Sequence, residues 1–273
     1  MMRRLALTLI LLTLCGAAPR ALAQTCTLTF SAMSFGTYSS AQLNATATGK
    51  VTCSGSWNIP MGPGNGAGAT VTNRLMTGPN SATLSYAIYQ DSARTTNWGN
   101  TTGTEVTGTG NTTVTAYGQI PANQYPTPGT YTDTVDTATT SIAVSAIVQA
   151  KCTVAATALA FGTYSGTKLT STSTITATCT NTTPYTVGLN AGTWSGATVT
   201  TRKMTGPSSS SLSYTLDRDS AYSLNWGNTI GTDTLAQTGT GTAQALTVYG
   251  VIPAGQYPTP GSYTDTITVS LTY

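Results

Sequence analysis

The sequence predicts an all-β protein built from two tandem antiparallel β-sandwiches, and three observations carry that prediction. Helical periodicity is almost absent, while short alternating runs such as Thr83–Tyr89, Thr112–Tyr117, Leu212–Leu216 and Leu246–Val251 recur between Gly, Pro, Asn and Ser clusters. A set of motifs is written twice: Cys26, Phe35-Gly36-Thr37-Tyr38-Ser39 and Cys53 return as Cys152, Phe161-Gly162-Thr163-Tyr164-Ser165 and Cys179. The separation of the copies drifts, from 126 residues at the cysteines to 128 at Trp98-Gly99-Asn100 and Trp226-Gly227-Asn228, then to 132 at Tyr125-Pro126-Thr127-Pro128-Gly129 and Tyr257-Pro258-Thr259-Pro260-Gly261. A drifting offset describes two homologous domains with small loop insertions rather than a short-period solenoid.

The chain opens with Arg3 and Arg4, the apolar run Leu5–Leu14 and the small residues Ala21-Leu22-Ala23, the pattern of a secretory signal over 1–23 cut before Gln24. Cys15 invites a lipoprotein alternative, which Leu14 fits poorly. Of eleven basic residues three (Arg3, Arg4 and Arg20) lie in this leader, leaving eight against eight acidic ones. A mature chain near neutrality has no electrostatic footprint for nucleic acid or acidic lipid. Its polarity comes from Thr, Ser, Gly and Asn, which suits exported β structure.

Domain one is expected over 24–150 and domain two over 151–273, each with two cysteines. Cys26–Cys53 and Cys152–Cys179 read as disulfides, each closing a loop worth about 3 kcal/mol of denatured-state entropy. A metal site is the rival reading, and a chain without histidine makes a poor one. No cofactor is expected. Trp98 and Trp226, at matching positions, read as structural.

The clearest strand is the last. Tyr263, Ile267, Val269, Leu271 and Tyr273 share one parity and Thr264, Thr266, Thr268, Ser270 and Thr272 the other, so one face is apolar and one hydroxylated. Such a strand is expected to pair on both sides. The first copy differs: Tyr131-Thr132-Asp133-Thr134-Val135 matches, then the alternation lapses and a fresh pattern begins with Ile142, Val144, Ala146 and Val148, running into Lys151-Cys152. Domain two thus has a two-faced strand ahead of its first cysteine. Domain one keeps only Gln24 and Thr25 there once the leader is gone.

Catalysis has little to work with. There is no histidine, no unpaired mature cysteine and no serine in a nucleophile-elbow motif, so the chain does not read as an enzyme. Asp91, Asp133, Asp233 and Asp265 recur or nearly recur between copies, which favours turn and capping roles. Asp217 and Asp219 flank Arg218 and read as a solvated strand end rather than a glycosidase pair.

The order Cys-Thr-Val, Phe-Gly-Thr-Tyr, Cys, Trp-Gly-Asn, Tyr-Gly-x-Ile-Pro-Ala and Pro-Gly-Ser-Tyr-Thr-Asp-Thr resembles the spore coat protein U domain family, which includes pilin subunits of archaic chaperone–usher pili. The resemblance covers the mature chain twice. It implies immunoglobulin-like, pilin-type sandwiches, each lacking a final strand that an N-terminal extension of another subunit supplies. By that resemblance 139–149 is a donor extension continuous with domain one, expected to fold back and complete it in cis; a plain interdomain linker is the alternative. Domain two, lacking its final strand, is expected to accept one beside Ile267, Val269, Leu271 and Tyr273. A chain that accepts but does not donate belongs at a fibre tip, exported through the periplasm to the cell surface. The implied partners are a periplasmic pilus chaperone, an outer-membrane usher, the next pilin subunit, and a hydrophobic surface or unknown receptor.

Adhesive residues are sought where the copies differ. After Cys53 the first copy is rich in Gly and Pro, with Trp57, Ile59, Pro60 and Met61 close together; after Cys179 the second alternates Tyr185, Val187 and Leu189 like an ordinary strand. Trp57, Ile59, Pro60 and Met61 are therefore expected in a protruding apolar loop. Packing of Trp57 and Ile59 beneath their own loop is the alternative, and a glycan site using Trp57 with nearby Asn side chains is another. The function expected is that of a pilus tip adhesin mediating attachment and biofilm formation. A fibre or coat component that binds nothing is the rival class.

Overall fold

The computed structural model describes residues 25–273; the predicted leader and Cys15 lie outside the described residues. Ten strands build the first half: β1 (Cys26–Phe30), β2 (Met33–Tyr38), β3 (Leu43–Cys53), β4 (Ser56–Ile59), β5 (Arg74–Thr77), β6 (Thr83–Tyr89), β7 (Val106–Thr109), β8 (Thr112–Ile120), β9 (Gly129–Asp136) and β10 (Ser141–Val148). Hydrogen bonds connect them in the order β1-β3-β8-β6-β5-β9-β10-β2, with β4 paired to β7. Alternation drives each strand. Along β3, Ala47, Val51 and Cys53 point inward and Thr46, Thr48 and Thr52 outward, as a period of two requires. Gly49 on that inner face leaves room for the Phe30 ring, since a Cβ there would lie 2.6 Å from it.

The second half contains β11 (Cys152–Ala156), β12 (Leu169–Cys179), β13 (Pro184–Leu189), β14 (Arg202–Thr205), β15 (Ser211–Asp217), β16 (Leu235–Thr238), β17 (Ala243–Ile252) and β18 (Val269–Thr272). They form a five-stranded sheet, β11-β12-β17-β15-β14, and a three-stranded one, β16-β13-β18. Each half has its own core. One gathers Met33, Tyr38, Leu84, Tyr86, Ile88 and Val135 among others, the second Ile175, Val187, Leu189, Leu212, Trp226 and Ile252. Cys26–Cys53 and Cys152–Cys179 are disulfide-bonded, each joining directly opposed residues at the end of a two-strand ladder.

Two devices are copied between the domains. The indole N–H of Trp98 donates to Ile59 O and that of Trp226 to Val187 O, both at 2.8 Å, and both rings are fully buried. Arg74 is also fully buried, with its guanidinium donating to the carbonyls of Gly62, Val71, Met61 and Trp98; Arg202 does the same to Asn190, Val199, Leu189 and Trp226. Burial pulls the Arg74 pKa down to about 10, so the group remains a cation at neutral pH and its planar fork satisfies four backbone acceptors together.

These carbonyls explain a correction. Trp57, Ile59 and Met61 do not make a protruding loop: Ile59 and Met61 are 2% and 0% exposed, Trp57 and Pro60 half-buried. Trp57 lies over Gly108 across the antiparallel β4–β7 pair and donates its indole N–H to Gly110 O at 2.9 Å. Met61 N–H bonds Gly99 O just as Leu189 N–H bonds Gly227 O. Trp57, Ile59 and Met61 are thus the inward residues of a strand edge equivalent to Tyr185, Val187 and Leu189. The second copy carries two extra residues right after Cys179, and that shift of register hid the correspondence. The glycine-rich turn that follows is shared too, with Gly64 and Gly192 both at φ +86 and Gly68 and Gly196 both at φ +79.

The last strand is corrected as well. Only Val269–Thr272 is regular, and it pairs on one side, with β13. Upstream, Thr264 makes an isolated bridge to Thr205. Asp217 is not solvated either: it is 5% exposed, and burial raises its pKa, whereas Asp219 faces outward and accepts the N–H groups of Ser223 and Leu224 in a turn.

Candidate functional site

The site is best seen by laying one domain on the other. In domain one, β10 lies between β9 and β2. It is antiparallel to β9, with Ile142 opposite Val135, Val144 opposite Asp133, Ala146 opposite Tyr131 and Val148 opposite Gly129. It is parallel to β2, with a bulge between Ser145 and Ile147. Ile142, Val144, Ala146 and Val148 are all at most 3% exposed, while Ile147 on the other face is 50% exposed. Around them Met33, Tyr38, Tyr131 and Val135 are sealed.

In domain two the equivalents of β2 and β9 are Leu159–Tyr164 and Gly261–Thr268. Leu159–Tyr164 joins no strand, and Leu159, Phe161, Tyr164, Tyr263, Asp265 and Ile267 are all half-exposed. Between the two segments runs an open groove of two contiguous cavities, about 380 and 800 Å³, that share Leu159, Phe161, Met204 and Tyr263 as lining. Ile267 and Val269 border it. Leu271 pairs opposite Val187 in β18, and Tyr273 lies past that strand, 54% exposed, so the groove edge sits closer to Tyr263 than the sequence pattern indicates. Leu159, Phe161, Met204, Tyr214 and Tyr263 line the groove; from sequence Phe161 stood only in a repeated motif and Tyr263 only in the last strand pattern, and Leu159, Met204 and Tyr214 were not named as site residues. Their signal was the repeat itself, since each matches a buried residue of domain one.

The electrostatics of the two grooves match. In domain one Tyr86 Oη donates to Asp133 at 2.6 Å, with the N–H groups of Asn65 and Thr134 on the other carboxylate oxygen. In domain two Tyr214 Oη donates to Asp265 at 2.7 Å, joined by Thr193 N–H, Thr193 Oγ1 and Thr266 N–H. Burial pushes both phenols above their ordinary range. For Asp265, burial acts upward but its hydrogen bonds outweigh it and hold the carboxyl below its ordinary value. Asp133 is 7% exposed, whereas Asp265 forms part of the open groove wall. What this arrangement offers is apolar side chains along an open groove whose Leu159–Tyr164 wall joins no sheet. Among the described residues there is no cluster of His, Cys, Asp and Glu suited to a metal, and no helix is long and apolar enough to cross a membrane.

Comparisons with known proteins agree with the repeat. The sequence pattern of the Spore Coat Protein U domain family matches residues 12–139 and again 138–270. Protein U of Myxococcus xanthus is 33% identical over 154 residues, covering 50% of this chain and 86% of that protein. Among solved structures, the chaperone–tip adhesion subunit pre-assembly complex (CsuC–CsuE) from the archaic chaperone–usher Csu pili of Acinetobacter baumannii contains a similar chain. The superposition has a TM-score of 0.55 at 16% identity, covering 91% of this chain and 100% of that one, a likeness of fold. With both halves matched over the same cysteines, strands and buried tryptophans, the chain belongs to the Spore Coat Protein U domain family, a family of structural, non-enzymatic proteins.

Proposed function

We propose that this chain is the tip subunit, and the adhesin, of a chaperone–usher surface pilus. The observation that carries the reading is the contrast between the two grooves: β10 fills the one in domain one, and the equivalent groove in domain two stands open. On this reading domain two lacks its final strand and takes one from the next pilin subunit, after a periplasmic chaperone has covered the same edge. Four inward apolar side chains in such a strand would contribute roughly 1.5–3 kcal/mol each before ordering costs.

Domain one, closed by its own 139–149, has no groove to offer. On this reading the donor-like strand β10 is used inside the chain, between β9 and β2, rather than given to a neighbour. A subunit that accepts a strand and gives none can sit only at one end of a fibre. A fold shared with a chain of a chaperone–tip adhesion subunit complex agrees with that placement, and attachment to surfaces and biofilm formation are part of the same proposal. Export through the periplasm, passage through an outer-membrane usher and display at the cell surface follow from the same reading.

Burial of Ile59 and Met61 favours a second reading, a fibre or coat component that completes an assembly and binds nothing. Immunogold labelling separates the outcomes for placement: label confined to fibre ends is expected, and label along the shaft overturns the tip assignment. Attachment assays with a strain deleted for this chain decide adhesion, since unchanged attachment by otherwise intact fibres leaves the purely structural role.

A further inference from the structure

The joint between the domains covers a surface that is left bare at the far side of domain two. The loop Tyr125-Pro126-Thr127-Pro128-Gly129 leads into β9 and is clasped by domain two. Asn181 N–H donates to Tyr125 O at 3.0 Å, and the Asn181 side-chain amide donates to Thr127 Oγ1 at 3.1 Å. Gly241, at φ +77, closes the contact; a Cβ there would lie 3.0 Å from Tyr125 O and 3.6 Å from Asn181 Cβ. Asn181 stands in the two-residue extension after Cys179. That extension is tied to the segment leaving β10, because Lys151 N–H donates to Thr180 Oγ1 and Thr180 N–H to Lys151 O. Only Gln149, Ala150 and Lys151 separate β10 from Cys152, so filling the groove brings the following domain onto the loop.

Domain two repeats the loop residue for residue as Tyr257-Pro258-Thr259-Pro260-Gly261. The internal role is repeated too, with Tyr263 Oη donating to Thr259 O as Tyr131 Oη does to Thr127 O. That role uses neither the Tyr257 ring nor the Thr259 hydroxyl. Tyr257 is 91% exposed and Thr259 is exposed, while Tyr125 is half-buried and Thr127 is 6% exposed. The bare loop also lines the larger cavity of the open groove.

We propose that the Tyr257–Gly261 loop is the seat for the body of the subunit whose strand fills that groove, a second contact outside the groove itself. The partner is a domain of the same family with a spacer of about three residues between its donor strand and its first cysteine, as geometry by analogy with the internal joint requires. The polar loop after its second cysteine, with an Asn or a hydroxyl residue in the place of Asn181, donates to Tyr257 O and Thr259 Oγ1. This rests on the strand-acceptor reading of domain two, and the two are tested separately.

The test places the photo-crosslinker p-benzoylphenylalanine at Tyr257, and in a parallel full-length variant at Ile267, in cells assembling fibres; adducts are mapped by mass spectrometry. At Ile267 the adduct is expected on the N-terminal extension of the adjoining subunit. At Tyr257 it is expected on the same subunit, within the few residues after its second cysteine. An extension adduct at Ile267 with no adduct at Tyr257, or one mapping elsewhere, overturns the seat while leaving the acceptor groove standing. Failure of Ile267 to capture any extension removes both.

Discussion

The segments Gly129–Asp136 and Gly261–Thr268 share the core Tyr-Thr-Asp-Thr and almost the same flanks, yet the first is an eight-residue strand and the second holds one isolated bridge, Thr205 to Thr264. Met33–Tyr38 and Leu159–Tyr164 repeat the contrast, regular in one domain and outside any strand in the other. What differs is the neighbour. β10 lies alongside both segments in domain one, and no described strand lies between their counterparts. Strand propensity is weak and depends on context, so a sequence able to form a strand takes regular form only when its backbone groups find a partner.

The largest way to break the comparison is to spoil the filled groove. Ile142→Asp with Val144→Asp places two carboxylates among side chains that are 0% and 1% exposed, and the cost exceeds about 4 kcal/mol, a large share of a typical domain's stability. Domain one is expected to lose hydrogen-exchange protection throughout while the β12–β17 ladder of domain two keeps its own. Retained protection in β9 and β2 would show that β10 is a dispensable linker.

Native-state hydrogen exchange on the unaltered chain sharpens the contrast. Amides of Leu159–Tyr164 and Tyr263–Thr268 are expected to exchange about 1,000-fold faster than those of Met33–Tyr38 and Tyr131–Asp136, a difference of about 4 kcal/mol in opening free energy. A synthetic peptide of residues 139–150 should slow the exposed set selectively, because the walls of the two grooves match position by position. Equal protection of both sets without peptide would remove the difference between the domains.

A third test asks where the domains should behave alike. Arg74→Met and Arg202→Met each leave four carbonyls without their donor, and each is expected to cost about 3 kcal/mol in its own domain, measured by urea unfolding followed domain by domain. A much smaller loss in domain two alone would show that its loop is already loose.

The smallest effect is expected in acid. Hydrogen bonds hold the Asp265 carboxyl below its ordinary value of 3.8, so its folded form is the stronger acid. Its contribution is complete above that value and is lost as pH falls through the lower folded-state pKa. The thermal midpoint of domain two should therefore drop below about pH 4, and Asp265→Asn should flatten that limb.

Much of the architecture was legible in the chain. Matching cysteines and the drifting repeat marked two domains of one family, and the alternation of Ile142, Val144, Ala146 and Val148 marked a strand where β10 stands. Other features were hidden for physical reasons. Trp57, Ile59 and Met61 keep a period of two, but glycine and proline around them and a two-residue shift against the second copy made them look like a projecting loop. Arg74 gave no sign of burial, since nothing local reveals that four carbonyls from Gly62, Val71, Met61 and Trp98 converge on it.

Periodicity and repetition, which depend on residues near in sequence, determined the all-β class, the two domains and the strand content of 141–148. Tertiary structure alone decided which neighbours each strand has: that β10 runs parallel to β2, that Val269–Thr272 pairs with β13, and that Leu159–Tyr164 is left at an open edge. A period of two tells which side chains share a face, but the β2 edge is filled by a segment more than a hundred residues further along, and no local pattern encodes that pairing.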